Sequence, residues 1–162
     1  MESRIQQPLT DIGKFYKQIE DFKGKICTIL QQLDRKQEMI EIEKYYDKLT
    51  PAKKANVRKP IELLYEHGIS VYAKEILLRE EQFFIGEAKN LEKNGKIAAD
   101  YELNRHDLLF IEQIRSVWDH LTPIVKKNIW DYVQIICLLA EKIVKKNVLA
   151  TEKLKLQQAY LL

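Results

Sequence analysis

The sequence predicts an all-α fold, a single-domain bundle of six to eight helices built around a central C-terminal helix, and three observations carry that reading. Apolar residues recur at three- and four-residue steps along nearly the whole chain. Alternating apolar and polar runs bounded by turn residues, the mark of strands, do not occur in it. Only 5 Gly and 4 Pro interrupt 162 residues that are 46% hydrophobic and 31% charged. That is the make-up of long helices, not of collagen-like, low-complexity or disordered chains. A chain of this length is about one domain and buries roughly 68–70% of its unfolded surface on folding, so residues 1–162 are read as one unit with a core that needs no disulfide.

The first helix is expected over 9–34, starting at Pro8-Leu9-Thr10-Asp11 and carrying Ile12, Phe15, Tyr16, Ile19, Phe22, Ile26, Ile29, Leu30 and Leu33 on one stripe. It either packs on the central helix or projects from it, and Gly24 is a place for it to bend. Met39, Ile40, Ile42, Tyr45, Tyr46 and Leu49 mark a second helix, which Thr50-Pro51 ends or follows with a new start. From Pro60 a short helix runs to His67-Gly68, where glycine suits the left-handed residue after a helix end. Ile69 to Leu78 continues helical, and Glu80-Glu81 opens a helix with Phe83, Phe84, Ile85 and Ala88. Lys93-Asn94-Gly95-Lys96 is the clearest break, after which Asp107 caps a helix bearing Leu108, Leu109, Ile111, Ile114, Val117 and Trp118.

Thr122-Pro123 begins the central helix, read over 123–146, with a capping hydroxyl and a proline in the first turn. Between Asn128 and Glu141 only Asp131 and Gln134 are polar, so this helix is expected to be covered nearly all round. Asp47-Lys48-Leu49-Thr50-Pro51 echoes Asp119-His120-Leu121-Thr122-Pro123, and both read as helix starts sharing one capping solution.

Chemistry leaves no spacing trace. His67, His106 and His120 form no His-x-x-x-His pair and no Glu stands three residues before any of them, against zinc-helix and di-iron motifs. The scattered glycines make no phosphate-cradling loop, and Ser3, Ser70 and Ser116 make no nucleophile elbow. Neighbouring acids such as Glu41/Glu43 and Glu80/Glu81 point away from each other on a helix. A non-enzyme with no cofactor, no metal and no small-molecule substrate is expected. Cys27 and Cys137 sit apart in apolar contexts, as unpaired thiols of a reducing compartment do. The longest apolar run, Ile135 to Ala140, is far short of the ~18 residues of a membrane span. Gln6, Gln7 and Pro8 follow Met1 to Ile5 where a signal core would stand, so a cytoplasmic protein off the membrane is expected.

Two functions fit. A protein-interaction or scaffold role, with a protein partner or self-association, follows from the apolar breadth of the central helix, and Trp130, Tyr132, Gln134 and Leu138 are its candidate partner-binding residues. For most of the aromatics the core is the simpler destination, although Trp130 and Tyr132 cannot both face the same neighbour, so one of them is expected to look outward. The alternative is nucleic-acid binding by the basic turn 53–59, through Lys53, Lys54, Arg58 and Lys59. The net charge of +3 is too small to choose a polyanion by itself. If this turn is a solvated loop, reversing all four charges leaves the fold intact.

The stretches Trp118 to Pro123 and Ile129 to Ala140, with Asn56 to Leu63, Tyr72 to Leu78 and Glu81-Gln82-Phe83-Phe84 upstream, resemble a pattern of small all-helical proteins of nucleocytoplasmic large DNA viruses. A chain rich in Lys, Ile and Tyr, with few Gly and Pro, agrees with an AT-rich genome of that sort. The resemblance implies an all-helical fold and a viral setting: virion or factory assembly, or host-factor binding, in host cytoplasm or virion. It transfers no catalytic residue.

Overall fold

A computed structural model describes residues 10–85 and 108–160, and among these every regular element is helical. In chain order they are α1 (Asp11–Gln32), α2 (Lys36–Ala55), α3 (Lys59–Leu64), a π turn (Tyr65–Ile69), α4 (Ser70–Leu78), α5 (Gln82–Ile85), α6 (Ile111–Val117), a 3-10 turn (Trp118–His120), α7 (Pro123–Val144) and α8 (Val148–Tyr160). The expected break at 93–96, the cap at Asp107 and the position of Ala88 lie outside the described residues.

α1 begins as expected, with the Thr10 hydroxyl accepting the Gly13 N–H at 3.1 Å. It buries Phe15, Tyr16, Ile19, Phe22, Ile26 and Leu30 and packs along α7, so it does not project. The helix is continuous through Gly24, whose surroundings are open. Tyr132 of α7 stacks on Phe22 at 5.3 Å, and a Lys23–Glu43 pair at 2.8 Å ties α1 to α2.

α2 overturns one expected boundary. Pro51 lies inside it, so Thr50-Pro51 is no helix start, and the echo with Thr122-Pro123 joins a helix interior to a true cap. A residue-by-residue likeness is silent on which copy finds helix already formed on its N-terminal side. The second overturned boundary is His67-Gly68. The backbone runs on through the π turn into α4, with the Ser70 hydroxyl donating to the Glu66 carbonyl at 2.7 Å.

Left-handed residues occur elsewhere, at Asp34, Arg79, Phe110 and Lys145. After α1, Arg35 N–H reaches Leu30 O at 2.8 Å and Asp34 N–H reaches Gln31 O at 3.1 Å; after α4 and α7, Glu80 reaches Glu75 O and Lys146 reaches Glu141 O in the same way. These are Schellman closures with Asp, Arg and Lys where glycine is the usual choice. Phe110 breaks the single helix expected from Asp107 to Trp118, so α6 starts only at Ile111.

α7 is central, as expected, and buries Ile129, Trp130, Val133, Ile136, Cys137, Ala140 and Ile143. It is not covered all round: Ile124, Ile135 and Leu138 remain exposed. Phe83, Phe84, Trp118 and Trp130 pack at its N-terminal half, with Phe84 4.7 Å from Trp118 and 4.8 Å from Trp130. Beyond the expected helices lies α8, which follows α7 after Lys145, Lys146 and Asn147 and packs on α4 and α7.

Candidate functional site

The four candidate partner-binding residues share α7 but not a fate. Trp130 is 4% exposed, wedged between Phe83 and Phe84, and is a core residue with no surface to offer. Tyr132 is half-buried and spends its ring on Phe22, so it seats α1 instead of a partner. The expectation that one of the two looks outward fails because α1 covers one side of α7 and α5 with its neighbours the other. Gln134 and Leu138 follow Trp130 at about 40° and 80° around the helix, on the edge of the buried face. Gln134 is half-buried and Leu138 is 55% exposed.

These two line one wall of a half-open groove of about 620 Å³ between α4, α7 and α8. Ile76, Leu77 and Leu78 come from α4, and Glu141 joins Gln134 and Leu138 on α7. The opposite wall is α8, with Leu149, Ala150, Lys153, Leu156 and Gln157. The sequence reading placed no helix there, so this wall was missed entirely. The groove is apolar along its floor and has fixed polar ends. At one end Gln134 accepts from Arg79 at 2.8 Å and donates to the Ile76 carbonyl at 2.9 Å, joining α7 to the end of α4. Arg79 also grips Asp131 at 2.6 Å, and Lys127 adds a contact at 3.0 Å. Arg79 first, then Lys127, hold the Asp131 carboxyl below the usual carboxylate range. At the other end Glu141 is buried, and its carboxylate accepts the Leu149 N–H at 3.0 Å. That N–H is one of the orphan donors of the first turn of α8, so a side chain of α7 caps a helix that begins seven residues later.

The basic turn does not assemble as a free cationic surface. Lys53 and Lys54 lie in the last turn of α2, and Lys53 sits 4.7 Å from the centre of the Tyr16 ring. Arg58 donates to the Ile143 carbonyl at 3.0 Å, satisfying an orphan acceptor in the last turn of α7, and lies 3.9 Å from Glu62. Lys59 is half-buried as the first residue of α3 and is engaged with a neighbour. Lys54 is exposed. The Tyr16 hydroxyl, whose ionisation burial pushes strongly upward, donates to the Val57 carbonyl within the turn. The stretch 54–58 is exposed, as a solvated turn would be, but Lys53, Arg58 and the Val57 carbonyl also tie it to α1 and α7.

Both thiols are poor nucleophiles. Burial raises Cys27 and pushes Cys137 up to about 12. Among the described residues no three His, Cys, Asp or Glu are grouped to hold a metal ion, and no helix is long and apolar enough to cross a membrane. No family model, curated protein or solved structure matches the chain.

Proposed function

We propose that the protein is a non-enzymatic helical interaction protein, a scaffold or adaptor acting in the cytoplasm, whose partner seats on the groove between α4, α7 and α8. The observation that carries this reading is Leu138, a large apolar side chain 55% exposed on the wall of an apolar groove of about 620 Å³. Water-facing leucine beside a concave apolar surface is an arrangement that a partner stabilises. The viral resemblance belongs to the same proposal and supplies its setting, assembly of a particle or factory or capture of a host factor. Nucleic-acid binding is the weaker reading, because Lys53 and Arg58 are already engaged by groups of this chain, the Tyr16 ring and the Ile143 carbonyl.

A photo-crosslinking amino acid placed at position 138, in cells that naturally make the protein, is expected to yield discrete protein adducts. The same group at position 17, where Lys17 is exposed on α1, is expected to yield none. Equal labelling from both positions, or none from 138, overturns the reading. Purified protein eluting with nucleic acid that strips away in salt would favour the basic turn instead.

A further inference from the structure

Resting on that reading, we propose that the occupant of the groove is a two-turn stretch of an acidic amphipathic helix from a partner protein, with apolar side chains at i, i+4 and i+7 in the groove and a carboxylate against Lys153. Length, lining and charge each point to it. Gln134 and Glu141 on α7 are seven residues apart, as are Leu149 and Leu156 on α8. At 1.5 Å of rise per residue each wall is about 10.5 Å long, which is the distance from i to i+7 on a docking helix.

Leu77 and Leu78 on one side, Leu138 on another and Leu156 on the third give apolar walls suited to such anchors. The charge left free in the groove is positive. Glu141, the carboxylate in the lining, is buried and committed to the Leu149 N–H. Lys153 is exposed, lines the groove and has no partner among the described residues. A glutamate or aspartate on the flank of the incoming helix answers it, whereas a basic flank is repelled. A second copy of this chain is a poorer occupant. An isologous contact sets the patch on itself, which lays concave surface on concave surface and offers Lys153 no carboxylate, since Glu141 is buried and committed.

The test uses the full chain and a fluorescent synthetic amphipathic peptide with leucines at i, i+4 and i+7 flanked by glutamates, beside a twin with lysines in place of the glutamates. The acidic peptide is expected to bind, and the basic twin about tenfold or more weaker. Lys153→Glu is expected to reverse that preference, and Leu138→Asp to remove binding while a cooperative thermal melt is kept, since more than half of the side chain is already exposed. Equal binding of the two peptides, no binding of either, or binding indifferent to Leu138→Asp overturns the proposal. A concentration-dependent dimer abolished by Leu138→Asp also overturns it, by assigning the groove to a second copy. If neither peptide binds while position 138 still crosslinks a protein, the partner chemistry fails and the interaction reading stands; if 138 crosslinks nothing, the interaction reading itself fails.

Discussion

Lys145 holds φ 58 and ψ 47 at the end of α7, a conformation in which its Cβ crowds the backbone. Nothing about lysine asks for that geometry; the Schellman closure does, through the bond from Lys146 N–H to Glu141 O. Lys145→Gly is therefore expected to stabilise the protein by about 0.5–1 kcal/mol, read from chemical denaturation, with a smaller gain for Asp34→Gly because aspartate tolerates this region better. Gly68 shows the converse. It was the natural candidate for a left-handed residue, yet it is spent inside a π turn, because burial of Ile69 and the helix beyond outweighs the preference of one residue. Asp131 supplies a test by pH. Its carboxyl titrates below the usual range because the folded state favours the charged form. Its contribution is thus fully present above the ordinary aspartate value and is lost as pH falls through the depressed one. The group is well exposed, so the effect on stability is small. An NMR titration is expected to show the low midpoint, and Arg79→Ala to move it back toward the ordinary range.

Among the elements, those readable in the sequence were those whose determinants are local. The α1 stripe and the Thr10 and Thr122 caps are encoded within a few residues of where they act, and they stand as expected. α8 was not readable for a physical reason: its capping acceptor is Glu141 on another helix, and Leu154 stands off the stripe that runs through Leu149, Lys153 and Leu156. Half of the candidate site was visible, Gln134 and Leu138, because α7 announces itself; the other wall was not. Glu141→Gln keeps the shape but weakens a charge-assisted bond, and is expected to cost about 1 kcal/mol and to speed hydrogen exchange at the Leu149 amide. The turn between α2 and α3 reverses an earlier expectation. Replacing Lys53, Lys54, Arg58 and Lys59 together by Glu removes the bond to Ile143 O and the cation over Tyr16, and sets acids against the end of α7. A loss of about 1–3 kcal/mol is expected, measured by urea midpoint; an unchanged midpoint would show that these contacts add nothing to stability.

At the scale of the whole molecule, one core joins the described helices through α7. Ile136 is 0% exposed at its middle, in the same cluster as residues of α1, α3 and α4. Ile136→Asp puts a carboxylate there without a partner and is expected to unfold the chain, with loss of the helical circular dichroism signal and of the cooperative melt. The packing around α7 also decides how the molecule looks to light. The chain has 2 Trp, and both lie in the ring cluster with Phe83 and Phe84. Selective excitation of indole therefore interrogates a single place in the protein, deep in the core. That emission is an optical gauge of the core alone: it responds when the bundle comes apart and stays dark to events on the α8 side, where a dye of its own must be supplied.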